Sequence, residues 1–240
     1  MNTGRDFLAA HYARLWDGAV ECVRRGDVSV DPVLARRAAD RRRGLTVLAR
    51  PSGEIQRQVN DFIMLLRNLD PEQYYYNTSE LHVTALSLFT ATEEVDRYLA
   101  RYDLYKEAVR AALAGAPSFG IEFAGVTLSR EAVMIRGYPD SAALNETREA
   151  LRRELRARGL TEGLDGRYRL ETAHMTVARF RHPLRDSRAY TELLERHRSH
   201  PFGRTQVQEL HLVRNDWYMS PSVVEVLVRY PLASNPPPPC

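Results

Sequence analysis

Apolar residues recur along the chain with two different periods. A period of three to four positions, typical of amphipathic helices, predicts helices over residues 5–25, 51–69, 92–113, 141–159 and 187–198. A shorter helix is predicted over residues 31–43, with Asp31 as its cap and Pro32 in its first turn. Short apolar runs predict strands over residues 45–50, 79–89, 119–128, 131–138, 172–180, 205–213 and 222–230. This mixture of helices and strands indicates an α+β protein.

The order of the predicted elements repeats once. Each half of the chain runs strand, helix, polar loop, histidine-containing strand, helix, strand. Such a repeat predicts two lobes related by a pseudo-two-fold axis, with like elements meeting across a central cleft. We therefore divide the chain into an N-terminal helical extension (1–43), a two-lobed core (44–231) and a proline-rich tail (232–240) that we expect to be disordered or extended. The lobes are placed at about residues 44–115 and 116–231, with strand exchange between them left open.

The two histidine-containing strands share one short pattern. "LHVTALSL" places His82 two positions before Thr84, and "AHMTVARF" places His174 two positions before Thr176. Residues two apart in a strand point to the same face, so each strand presents an imidazole and a hydroxyl together. A single histidine in an apolar run is typical of a packed core strand. The second copy, in a matching half, instead favours a functional pair.

An imidazole and a hydroxyl from each half suit chemistry on a phosphodiester. The unperturbed pKa of histidine is about 6.5, so one ring can accept a proton from the attacking group while the other donates one to the leaving oxygen. Threonine hydroxyls and a guanidinium can donate to the non-bridging oxygens as charge develops there. This chemistry requires neither a metal nor a cofactor.

Composition excludes several other kinds of site. Two cysteines, Cys22 and Cys240, cannot form a cysteine-rich zinc site, and the only lysine, Lys106, lies in a predicted helix rather than in a phosphate-binding loop. The net charge is only +3, and no apolar run is long enough to span a membrane. The first residues lack the pattern of a signal peptide, so we expect a cytoplasmic protein. The excess of arginine over lysine fits either codon usage or phosphate recognition.

Paired histidine-x-threonine strands in two repeated halves resemble the 2H phosphoesterase superfamily, in particular its bacterial 2'-5' RNA ligase-like and cyclic phosphodiesterase members. The resemblance covers roughly residues 44–231, and the closing "LHLVRNDWYMSPSVVEVLVRYPL" looks like the final strand pair of that family. It implies two antiparallel-rich sheets with outer helices around a central cleft. It also implies that His82 and His174 form the acid/base pair and that Thr84 and Thr176 contact the phosphate.

The resemblance further implies a phosphate-binding role for Arg179, five positions after the second histidine. Regular alternation would point Arg179 away from His174, so this role requires a twist or a bulge in the strand. Leu81 stands where the family commonly has proline, and residues 1–43 extend beyond the minimal family core.

Two aromatic segments are further candidates for contact with substrate. "QYYY", residues 73–76, precedes the first motif, and its Tyr76 either packs under the loop or stacks on a nucleobase. Trp217 follows a strand that we expect to end near the cleft, which makes it a second candidate. His182, His197 and His200 are expected to be solvated, and His211 is expected to lie on the surface of a sheet.

These observations predict a monomeric, metal-independent phosphoesterase that needs no cofactor. It would open 2',3'-cyclic or 2'-5' phosphodiester bonds of RNA ends or small nucleotides, and the same site could run in reverse as a 2'-5' RNA ligase. The alternative is a nucleotide- or RNA-binding module with little turnover. The N-terminal helices could in addition bind another protein in either case.

Overall fold

The computed structural model describes residues 3–165 and 169–234, and most of the proline-rich tail, residues 235–240, lies outside the described residues. The helices are α1 Thr3–Asp17, α2 Val20–Arg24, α3 Gly53–Leu69, α4 Asp96–Leu99, α5 Tyr102–Leu113, α6 Ala143–Ala157 and α7 Ser187–Arg196, with a 3-10 helix over Leu34–Ala39. The strands are β1 Arg43–Ala49, β2 Tyr74–Tyr75, β3 Val83–Thr92, β4 Phe119–Leu128, β5 Ala132–Pro139, β6 Met175–Arg179, β7 Pro201–Val207, β8 Glu209–Asn215 and β9 Glu225–Pro231.

The strands form two antiparallel sheets. The first has the order β3-β1-β8-β9 and the second has the order β2-β6-β5-β4-β7. Each sheet contains one of the two motif strands, β3 at the edge of the first sheet and β6 beside the short β2 in the second. The predicted α+β fold, with antiparallel sheets and outer helices, is confirmed.

Each sheet takes strands from both halves of the chain. β2 comes from the first half but pairs with β6, whereas the hairpin of β8 and β9 returns from the end of the chain to the first sheet. The prediction of a single strand over residues 205–213 is therefore wrong. The chain leaves the second sheet at Val207 and enters the first at Glu209, so that this apolar run connects the two sheets through Gln208.

Three predicted helices are interrupted or shortened. The helix predicted over 5–25 is divided into α1 and α2, and that predicted over 92–113 is divided into α4 and α5. The helix predicted over 31–43 is only a 3-10 helix, and Leu34 is its one buried residue. An apolar face of one residue gives a helix too little packing to extend, since most helical stability in proteins comes from such a face.

Helix α3 follows the predicted pattern closely, and helix α1 attaches the N-terminal extension to the second sheet. The hydroxyl of Ser52 caps α3 by accepting a hydrogen bond from the Ile55 backbone N–H, and the predicted apolar face of α3 is buried. Helix α1 packs on β4 and β5, where the fully buried Tyr12 donates a hydrogen bond from its hydroxyl to the Gly137 carbonyl. The same hydroxyl accepts one from the backbone N–H of Ala173, directly before His174. The N-terminal extension is thus bound to the second sheet close to one motif histidine.

No helix within residues 3–165 and 169–234 combines the length and the hydropathy needed to cross a membrane.

Candidate active site

Both motif strands place their histidine and threonine on one face. His82 and Thr84 are half-buried, whereas the intervening Val83 is only 2 % exposed. His174 and Thr176 are half-buried in the same way and flank Met175, which is fully buried. The apolar residues thus pack into the core while the polar ones retain access to solvent. This is the alternation that the sequence pattern predicted.

Each motif strand contains a β-bulge directly after its threonine. In β3, Leu86 pairs with Val47 and Thr84 pairs with Leu48, which leaves Ala85 without an opposing residue. In β6, Ala178 pairs with Val133 and Thr176 pairs with Met134, which leaves Val177 without one. A bulge inserts one residue and shifts the alternation that follows it. The two bulges occupy equivalent positions, so the internal repeat seen in the sequence is also present in the backbone conformation.

The bulge in β6 determines where Arg179 points. Val177 and Ala178 are both buried, and Arg179 is half-buried like Thr176. The shifted alternation therefore returns Arg179 to the face of the threonine, as its predicted phosphate-binding role requires. Its guanidinium also adds to the depression of the pKa of both histidines, which indicates that its charge lies near both rings.

The Nδ1 atom of each histidine is held by the residue two positions before it. Nδ1 of His82 lies 2.7 Å from the backbone carbonyl oxygen of Glu80, which can only accept a hydrogen bond. In the neutral ring, the proton therefore stays on Nδ1, and Nε2 carries the lone pair. Nδ1 of His174 lies 2.7 Å from the hydroxyl of Thr172, which can either donate or accept. Both interactions leave Nε2 to exchange protons with a substrate.

The loop before His82 is fixed by the carboxylate of Glu80. This side chain is fully buried and accepts hydrogen bonds from Arg37, the Tyr74 hydroxyl and the Asn77 backbone N–H, each at 2.7 Å. Arg37 lies in the 3-10 helix, so the N-terminal extension supports the first motif as well as the second.

Arg148 links the two motifs to each other. This residue of α6 is 1 % exposed, and its guanidinium donates to the carbonyl oxygens of Thr84 at 3.0 Å and Ala85 at 2.9 Å. It also donates to those of Glu171 at 2.9 Å and Thr172 at 2.7 Å. One buried side chain thus joins the backbone of the first motif strand to the segment that precedes the second histidine.

The sequence contains one signal for Arg148 that was not recognised. Among the many arginines of this helix, Arg148 follows Leu144 by four positions and precedes Leu151 by three. It therefore lies on the apolar face of α6, where a solvated arginine is not expected.

Tyr76 and Trp217 contact Arg179 in different ways. The Tyr76 hydroxyl accepts a hydrogen bond from Nε of Arg179 at 2.9 Å, and Tyr76 is 2 % exposed. Its buried ring supports the guanidinium and presents no open face for the stacking considered from the sequence. Trp217 is half-buried, and the Arg179 guanidinium carbon lies 5.6 Å from its ring centre. The structure thus places Trp217, but not the face of Tyr76, where a substrate could reach it.

Burial lowers the pKa of both motif histidines to about 4. For His82, burial is the largest cause, and the charges of Arg50 and Arg179 act in the same direction. For His174, burial is again the largest cause, followed by the charges of His82 and Arg148. Both rings are therefore neutral at pH 7 in this structure, unlike the ordinary histidine assumed from the sequence. A bound phosphodiester anion would raise both pKa values, because it favours the protonated rings.

The structure corrects the expectation for His211. This residue is 6 % exposed rather than on the surface, and its Nε2 lies 2.6 Å from the carboxylate of Glu209. Among the described residues, no group of three or more histidine, cysteine, aspartate or glutamate side chains could hold a metal ion.

Residues 51–217 match a family model described as the 2'-5' RNA ligase superfamily. Among solved structures, TT0787 of Thermus thermophilus is 19% identical with a TM-score of 0.52, over 79% of this chain and 97% of that chain. A structure described as a phosphoesterase is 15% identical with a TM-score of 0.54, over 80% of this chain and 98% of that chain. LigT of E. coli complexed with 3'-AMP is 17% identical with a TM-score of 0.47, over 80% of this chain and 99% of that chain. No curated protein sequence matches significantly.

Proposed function

Because the chain belongs to the 2'-5' RNA ligase superfamily of 2H phosphoesterases, we propose that it opens 2',3'-cyclic or 2'-5' phosphodiester bonds at RNA ends or in small nucleotides without a metal ion. The observation that carries the proposal is the pair of half-buried histidines, each held at Nδ1. Binding alone does not require two proton-transfer groups in matching positions. Acid/base catalysis requires them.

The hydrogen bonds at Nδ1 support a different role for each histidine. The Glu80 carbonyl keeps the proton of His82 on Nδ1, so we propose that Nε2 of His82 is the base that takes a proton from the attacking water. The water oxygen bonds to phosphorus as the bond to the 2'- or 3'-oxygen breaks. That oxygen receives the proton from Nε2 of His174, whose Thr172 partner accepts from the protonated ring. In the ligase direction the two roles exchange, because both directions share one transition state.

The remaining groups of the site stabilise the charge that develops on the phosphate. We propose that the hydroxyls of Thr84 and Thr176 and the guanidinium of Arg179 donate hydrogen bonds to the non-bridging oxygens. The phosphate anion itself supplies the field that raises the histidine pKa values, so that the pair can hold one proton when substrate binds.

The test is a panel of 2',3'-cyclic mononucleotides and 2'-5'-linked and 3'-5'-linked oligonucleotides, assayed in the presence of EDTA, with the phosphate position of each product determined. His82→Asn and His174→Asn retain a hydrogen-bonding side chain but lose proton transfer, so each should lower kcat by roughly 10²–10⁴. His182→Asn, at an exposed position, is the control. Full activity in both single variants would contradict the proposal.

One observation favours the alternative of a binding module with little turnover. Both histidines are neutral at pH 7 in this structure, since the pKa of each is lowered to about 4. A single-turnover assay with a 2',3'-cyclic nucleotide distinguishes the two functions. Saturable binding without product at any pH between 4 and 8 would establish the binding module.

A further inference from the structure

A cavity of about 430 Å³ shares Arg179 and Trp217 with the candidate active site. The rest of its lining consists of residues 29–32 and Arg42 of the N-terminal extension, together with Thr90, Ala91 and Glu131. The volume falls within the range of roughly 300–1,000 Å³ that small-molecule sites occupy. Half of the cavity lining is therefore contributed by a segment that lies outside residues 51–217, the part of the chain matched by the family model.

The N-terminal wall of the cavity is fixed by hydrogen bonds. The backbone N–H of Ser29 donates to the Arg130 carbonyl at 2.7 Å, and that of Asp31 donates to the Phe180 carbonyl at 2.9 Å. The carboxylate of Asp31 accepts a hydrogen bond from the Tyr218 hydroxyl at 2.9 Å. These contacts attach the segment to the second sheet and to the loop that carries Trp217. The wall is thus a defined surface and not a loose loop.

The cavity lining around Trp217 has the chemistry of a stacking site. The guanidinium carbons of Arg42 and Arg179 lie 5.8 Å and 5.6 Å from the ring centre of Trp217. Arg42 is paired with Asp40 through two hydrogen bonds of 2.9 Å and 2.8 Å, so its charge is balanced and it contributes mainly a planar surface. Every nucleobase has a π-face, and planar aromatic and guanidinium groups bind such faces.

An apolar side chain and two carboxylates in the lining also suit a nucleobase. Val30 lines the cavity with an apolar side chain that is 39 % exposed, which a stacked ring would cover. Asp31 and Glu131 bring carboxylates to the same cavity, and carboxylate oxygens accept hydrogen bonds from the amino and imino groups of bases. A planar surface with carboxylate groups beside it suits a nucleobase better than it suits a second phosphate, because carboxylates repel an anion.

We propose that this cavity binds the nucleobase of the substrate nucleotide, stacked on Trp217 and covered by residues 29–32. The inference rests on the proposed function, because Arg179 connects the cavity to the phosphate site between the histidines. It assigns the N-terminal extension a part in substrate recognition. Residues 29–42 are then a specificity element of this chain.

The test uses the fluorescence of Trp217 and does not depend on turnover. The chain has two tryptophans, and Trp16 is 7 % exposed, so Trp217→Phe isolates the signal of the cavity. The probes are the 2'-monophosphates of adenosine, guanosine, cytidine and uridine, with inorganic phosphate as the probe that lacks a base. The variants are Val30→Glu and Val30→Arg. Val226→Glu and Val226→Arg are matched controls, because Val226 is also a valine that is 39 % exposed, but on β9.

We expect saturable quenching by at least one nucleotide, none by inorganic phosphate, and loss of the signal in Trp217→Phe. Both Val30 variants should weaken nucleotide binding by roughly tenfold or more, the effect of losing one stacked base, whereas both Val226 variants should not change it. Unchanged binding in the Val30 variants, or opposite effects of Glu and Arg, would overturn the proposal. Nucleotide binding without turnover would refute the proposed function and leave the cavity assignment intact. Turnover together with unchanged nucleotide binding in both Val30 variants would refute the cavity assignment and leave the proposed function intact.

Discussion

The two motif histidines should make the protein sensitive to acid between pH 6.5 and pH 4. In the unfolded chain a histidine has a pKa of about 6.5, whereas in this structure burial lowers the pKa of His82 and His174 to about 4. Between these values the unfolded state binds more protons than the folded state. The free energy of unfolding therefore falls as the pH falls through this window, and little of the effect is present at pH 7.

The size of the effect follows from the two pKa values. At pH 5, a histidine with a folded pKa of about 4 and an unfolded pKa of about 6.5 lowers the free energy of unfolding by about 2 kcal/mol relative to pH 7. The pair together therefore lowers it by about 4 kcal/mol. That is a large fraction of the free energy of unfolding of a typical protein, which is roughly 5–15 kcal/mol.

The assay is urea denaturation of the wild type and of the His82→Asn/His174→Asn double variant at pH 7 and pH 5. Any cavity left by the substitutions contributes at both pH values, so only the change between them is compared. The wild type should lose about 4 kcal/mol more than the double variant. His182→Asn should behave like the wild type, because that side chain is exposed. Equal losses in the wild type and the double variant would refute the reasoning from burial.

Three further predictions concern the groups around the histidines. Arg179→Gln removes a charge that lowers the pKa of both rings, so the alkaline limb of the pH profile of kcat/KM should move to higher pH; an unchanged limb would contradict this. Arg148→Met leaves four backbone carbonyls, two of them in fully buried hydrogen bonds, without their donor and should lower the free energy of unfolding by about 3 kcal/mol or more in urea titrations. Gly137→Ala would place a methyl group into the carbonyl oxygen of Ala173, so kcat should fall even in protein that circular dichroism shows to be folded.

The candidate pair of histidines could be located from the sequence because its signal is local. A histidine and a threonine two positions apart lie on one face of any strand, and the second copy made a chance occurrence improbable. The face of β6 on which Arg179 lies depends on a bulge. The phosphate-binding role predicted from the sequence required such a bulge, but the sequence did not show at which residue it occurs. The bulge at Val177 shows in the structure as two consecutive buried residues, a pattern that equally suits an ordinary buried strand when only the sequence is known.

The groups that connect distant segments could not be predicted in the same way. The contacts of Arg148 reach carbonyl oxygens in β3 and before β6, and no local pattern encodes which backbone will lie opposite a helix. The run over 205–213 had the apolar alternation of one strand, yet it passes between two sheets at Gln208. His211 was expected on the surface of a sheet, and it is buried because β8 lies between β1 and β9.

The two halves of the site are similar in backbone but different in chemistry, and this difference should orient the substrate. Ser87 occupies in β3 the position that Arg179 occupies in β6, and its hydroxyl donates to the Phe89 carbonyl at 3.1 Å. The second half therefore supplies a guanidinium where the first supplies a neutral group. The hydrogen-bond partners of the two histidines also differ. The carbonyl oxygen beside His82 permits only the tautomer with the proton on Nδ1, whereas the hydroxyl beside His174 permits either tautomer. We therefore expect His82 to act as the base and His174 as the acid, and we expect the cavity beside Arg179 to give the substrate one direction in which to lie.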